Sequence, residues 1–109
     1  MTFTYVISQL PVSNDRAFMP YKEDKFVLHD YVPVWQDTDA EDHCENLLES
    51  IFTRFNLDQK PEHYAGRSLS VSDIVLFYDE QDGQYQLVRA FYCNSVGWAD
   101  ITKHFLELS

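Results

Sequence analysis

The strongest constraint on this chain is the dipeptide Asp82-Gly83, which lies between two β-branched and aromatic runs, Asp73 to Tyr78 and Gln84 to Tyr92. A two-residue hairpin turn needs positive φ at both central positions, which glycine adopts freely and aspartate tolerates. The pair commits this half of the chain to an antiparallel sheet. Along the second run Tyr85, Leu87, Arg89 and Phe91 alternate with Gln86, Val88, Ala90 and Tyr92. Both sets carry apolar groups, so this strand is expected to be covered on both faces.

The other elements are arranged around that hairpin. Residues Phe3 to Leu10 read as an opening strand that Pro11 ends, and Asn14 to Tyr21 reads as irregular, with a polar turn and Pro20. Phe26 to Trp35 is a second strand candidate. Pro33 lacks a ladder donor, so that strand is at an edge or broken near the proline. From Asp39 to Phe55 the apolar residues Cys44, Leu47, Leu48, Ile51, Phe52 and Phe55 recur at helical spacing. Thr38 and Glu41 have the spacing of a capping box, and Arg54 and Asn56 suit the other end. Gly97 reverses the chain, and Ala99 to Leu108 is too short for periodicity to separate helix from strand. The expectation is α+β: a small antiparallel sheet that could close barrel-like, packed against one main amphipathic helix.

A chain of 109 residues fits one domain, 1–109, and can bury about two thirds of its unfolded surface. With 45% hydrophobic residues it can offset chain entropy without staples. Cys44 and Cys93 have no paired histidines or CxxC spacing and read as buried thiols. No stretch reaches the roughly 18 apolar residues of a membrane span, and Met1 to Leu10 lacks a basic, cleavable leader, so a cytoplasmic location is expected.

The net charge of −10 is concentrated. Asp37, Asp39, Glu41, Asp42, Glu45 and Glu49 form one stretch and Asp79, Glu80 and Asp82 another, with no lysine or arginine inside either. Such a field repels nucleic acid and anionic membrane and attracts basic protein surfaces. The acids near the helix start also complement its dipole, a purely local role.

Three blocks in order, Phe52-Thr53-Arg54-Phe55-Asn56, then Gly66-Arg67-Ser68-Leu69-Ser70-Val71-Ser72-Asp73-Ile74-Val75, then Asn94-Ser95-Val96-Gly97-Trp98, resemble a YodL-like domain over about residues 46–105. The strand from Tyr5 to Leu10 is weakly similar to one that precedes the domain in longer relatives. The resemblance implies a bacterial protein of a kind common on phages and conjugative elements, with no established catalytic activity. Asn94 stands where many relatives place Asp, which puts in doubt any carboxylate role at that turn.

Catalysis finds no support in the residues. His29, His43, His63 and His104 are scattered without metal-ligand spacing, and no Gly-x-Ser-x-Gly elbow is present. The adjacent His43 and Cys44 would point about 100° apart on a helix. Gly66, Arg67, Ser68, Ser70, Ser72 and Asp73 read as a structural loop in which Arg67 pairs with Asp73 or a backbone carbonyl. No catalytic residue, metal or cofactor is expected. The expected function is binding: a phage- or mobile-element-encoded acidic protein that inhibits a host nucleic-acid-binding defence effector, of anti-CRISPR or anti-restriction type, its acids standing in for phosphates. The expected partner is a host protein with a basic surface, such as a nuclease effector. An alternative interface is aromatic, at Trp98, Tyr92 and Trp35, against a host growth or filament factor. A homodimer through the edge near Pro33 is a third reading.

Overall fold

A computed structural model describes residues 3–39, 44–56 and 64–106 of the chain. Among these residues five strands form one sheet: β1 (Phe3–Gln9), β2 (Val32–Asp39), β3 (Ile74–Gln81), β4 (Gln84–Cys93) and β5 (Trp98–Asp100). Their spatial order is β2-β1-β3-β4-β5, and every neighbouring pair is antiparallel. The sheet is open, with β2 and β5 at its edges, and it does not close into the barrel that the sequence left available. Among the described residues two α-helices accompany the sheet, α1 (Cys44–Asn56) and α2 (Thr102–Leu106).

The opening strand lies where its β-branched and aromatic run predicts. The second strand differs from expectation. Residues 23–25 and 28–30 form 3-10 turns instead, and β2 begins at Val32 and runs on to Asp39. Pro33 is tolerated because, among the described residues, β2 pairs only with β1 and needs no donor on its outer side. A bulge sits there too: Ile7 pairs with Trp35 but Ser8 with Pro33, leaving Val34 as the extra residue. Asp39 belongs to β2, so the helix does not begin there as expected; α1 is described from Cys44, and positions 40–43 lie outside the described residues. Thr38, opposite Thr4 in the ladder, is a strand residue and not an N-cap. Glu41, the other half of the proposed capping box, lies outside the described residues.

One sheet face is closed by α1. Leu47, Leu48, Ile51 and Phe55 pack against Phe3, Tyr5, Ile7, Val75, Phe77 and Phe91, all of them buried. The opposite face is closed along part of its length. There Ile74, Leu76, Ala90 and Tyr92 meet Tyr21, Phe26, Leu28 and Tyr31 from the long β1–β2 connection, and Ile101 and Phe105 from the chain end. The tail resolves into both alternatives, since β5 pairs with β4 and α2 follows immediately.

The alternation along β4 is broken, which the sequence does not reveal. Phe77 pairs with Arg89 but Tyr78 with Leu87, so Val88 is a bulge residue and the phase shifts across it. Phe91 and Val88 therefore pack on the α1 side, whereas Tyr92, Ala90 and Leu87 belong to the other. The strand is covered on both faces as expected, but Leu87 sits on the face opposite to the one simple alternation gives it.

Candidate functional site

Just before β3, where the β1–β2 connection covers the sheet, lies a buried polar cluster centred on Asp73, which is fully buried. Its Oδ2 accepts hydrogen bonds from Ser70 N at 2.7 Å and Gln9 Nε2 at 3.0 Å, and its Oδ1 faces Arg67 Nη2 at 3.2 Å. Arg67 also donates through Nη1 to Leu10 O at 2.8 Å, and its guanidinium lies 4.8 Å from the centre of the Phe18 ring. Gln9 binds the loop from both ends of its amide, donating to Arg67 O and accepting from Arg67 N. Tyr64 donates to the same carbonyl at 2.9 Å. Gly66 is required by this approach, because a Cβ there would stand 2.5 Å from Gln9 Oε1.

Burial pushes the Asp73 carboxyl up to about 6, against the pull of the Ser70 amide, Arg67 and Gln9. Around it burial raises Tyr31, takes Tyr64 and Tyr92 up to about 12 and Cys93 up to about 11, with the Asp73 charge adding to each. All four are neutral at physiological pH, leaving Arg67 as the one cation in contact with the carboxylate among the described residues. Ser72, at φ 85°, accepts Phe18 N on its hydroxyl and the Tyr31 hydroxyl on its carbonyl. Of the loop residues singled out from the sequence, Gly66, Arg67, Ser70, Ser72 and Asp73 converge here; Ser68 is half-buried beside them. Gln9, Tyr31 and Tyr64 were missed. Gln9 had a signal: it continues the inward series Phe3, Tyr5, Ile7, and an amide on a core-facing position needs partners.

The acids are organised by strand register. Phe3 at the start of β1 pairs with Asp39 on one side and Asp79 on the other, so the two acidic stretches meet at one end of the sheet. Glu80 follows in β3, and Asp82, at φ 53°, opens the exposed hairpin turn with Gly83. Asp37 and Asp39 are strand residues, so the expected acidic helix face is reduced to Glu45 and Glu49, with Glu41 and Asp42 outside the described residues. Asp37 Oδ2 lies 3.5 Å from Arg54, and Glu45 Oε1 lies 2.9 Å from Arg89, which also meets Asp100. Asp37 and Glu45 are thus paired with cations, while Asp82 stands in the exposed hairpin turn.

A family model for the YodL-like domain matches residues 12–105. The chain belongs to the YodL-like domain family. The match takes in the β1–β2 connection and β2 as well as the three blocks that carry the resemblance. No curated protein and no solved structure matches the chain.

In this YodL-like domain one aromatic candidate is buried and the other two are half-buried. Tyr92 is only 5% exposed and donates its hydroxyl to Met19 O at 2.6 Å, so it cannot anchor a partner without unfolding the second core. Trp98 meets Phe52 edge-on at 6.3 Å, and Trp35 lies 5.8 Å from Phe55; both are half-buried against the α1 core. The Asn94 side chain accepts Tyr21 N at 2.9 Å, a role for an oxygen acceptor that needs no charge. Among the described residues no group of three histidine, cysteine, aspartate or glutamate side chains could hold a metal ion. No helix among them is long and apolar enough to cross a membrane.

Proposed function

We propose that this YodL-like domain is a non-catalytic, cytoplasmic binding protein whose acidic sheet end engages a basic surface on a host nucleic-acid-binding effector and inhibits it. The observation that supports this is the register of β1, which sets Asp39 and Asp79 on either side of Phe3 and so joins two stretches far apart in sequence. Adjacent strands are about 4.8 Å apart, which puts the two backbones roughly 10 Å from each other and Glu80 and Asp82 just beyond. Acidic residues gathered at one end of the sheet give that end a negative field, which steers basic partners on approach. The Asp73 cluster is enclosed and serves to hold the loop to β1, which is why the reading excludes it from chemistry.

The test compares wild type with a variant carrying Asp39→Asn, Glu80→Gln and Asp82→Asn, each immobilised and exposed to bacterial lysate. The expected result is capture of a nucleic-acid-binding protein that competing duplex DNA or high salt releases and that the variant does not retain. Capture indifferent to salt, to DNA and to the substitutions would overturn the reading.

A further inference from the structure

The helix-free face of the sheet is covered over only part of its length. The β1–β2 connection and α2 close it over Ile74, Leu76 and Ala90, but toward the hairpin Thr4, Val6, Gln36, Tyr78 and Tyr85 line a surface cavity of about 240 Å³. Register accounts for the set. Thr4 lies opposite Tyr78, Val6 lies opposite both Gln36 and Leu76, and Tyr85 lies opposite Glu80, so all of them share one face. The Val88 bulge is what delivers Tyr85 and Leu87 to this face, and Tyr85 is 59% exposed there.

We propose that this groove is a docking site for an extended, arginine- or lysine-bearing segment of the partner, lying across β2, β1, β3 and β4. The proposal rests on the reading of the acidic sheet end and draws on its Glu80 and Asp82, whereas Asp79 pairs with Phe3 and so belongs to the α1 face. Charge complementarity selects the occupant. Among the described residues no cation lines the groove, Glu80 stands opposite Tyr85 on the same face, and Asp82 is in the adjoining turn. The tyrosine rings offer faces that attract a guanidinium or ammonium. Val6 and Tyr78 supply apolar floor, and Thr4 and Gln36 supply neutral hydrogen-bonding groups. Four strands span about 14 Å, the length of roughly four extended residues. A second copy is the wrong occupant, since it would bring a further net charge of −10 to the same surface.

The probe is a capped four-residue peptide of alternating arginine and valine, titrated into the isotope-labelled protein at low salt beside a counterpart with glutamine for arginine. Amide shifts should centre on Val6, Tyr78 and Tyr85, the glutamine peptide should bind more weakly, and Tyr85→Ala should weaken binding about three- to fivefold while Tyr85→Phe retains it. Binding of the arginine peptide with shifts confined to the α1 side, and unchanged by Tyr85→Ala, would overturn the groove while leaving the acidic reading intact. Absence of binding by either peptide would overturn both. Shifts at the groove that grow with protein concentration alone would place a second copy there and overturn the basic-segment assignment.

Discussion

Replacing Asp73 by asparagine should change how stability depends on pH, and the sign follows from burial. The folded carboxyl titrates at about 6 rather than 3.8. Below pH 3.8 it is protonated in both states and its contribution is fully present. Between 3.8 and about 6 the unfolded chain releases the proton while the folded chain keeps it, so stability falls as pH rises, and above 6 the loss is complete. A raise of this size corresponds to about 3 kcal/mol in total, of which about 1.4 kcal/mol falls between pH 5 and 7.5. Urea unfolding of wild type and Asp73→Asn at those two pH values isolates the effect, because the other titrating groups are common to both proteins. Wild type should lose about 1.4 kcal/mol more than the variant on going from pH 5 to 7.5. The variant should also be less stable throughout, because its amide nitrogen meets donors from Gln9, Ser70 or Arg67 where the carboxylate accepted. Parallel pH profiles, or a steeper loss in the variant, would mean that those three donors outweigh desolvation and would refute the argument.

Gly66→Ala should lower the melting temperature by roughly 10 °C or more, since its Cβ displaces Gln9 and with it the bonds to Arg67 and Asp73; overpacking and lost buried hydrogen bonds together cost about 2 to 4 kcal/mol. Phe55→Ala, at the centre of the α1 interface, should destabilise by about 3 to 5 kcal/mol in denaturant titration. In a Cys44→Ser background, Cys93 should react with a thiol reagent at pH 8 only at the rate of unfolding, because it is buried and its thiol is pushed up to about 11. Arg89→Ala should change stability by less than about 1 kcal/mol, since its partners Glu45 and Asp100 are solvent-exposed.

Much of the fold was legible because its signals are local. Asp82-Gly83 fixes a hairpin through backbone conformation, and the apolar spacing of Leu47, Leu48, Ile51 and Phe55 fixes the face that α1 buries. Asp39 was expected to open the helix because an acid suits a helix N-terminus as well as it suits an edge strand, and only pairing with β1 assigns it to β2. The packing of the aromatic candidates was not legible locally: a turn glycine beside Trp98 suggests exposure, whereas Phe52 on α1 meets its ring edge-on and the residue is half-buried.

The sequence alone determined an antiparallel α+β domain, its family, its acidity and the density of polar groups from Arg67 to Asp73. Those properties reside in short runs of residues, each with its own steric or electrostatic logic. Tertiary structure decided the strand order, the bulge at Val88 that sends Tyr85 and Leu87 to the helix-free face, and the meeting of Asp39 with Asp79 across Phe3. It also brought Gln9 to Asp73 across 64 positions of chain. These depend on register between distant segments, where a slip of one residue reverses every side chain, and no local propensity encodes which slip the packed core selects.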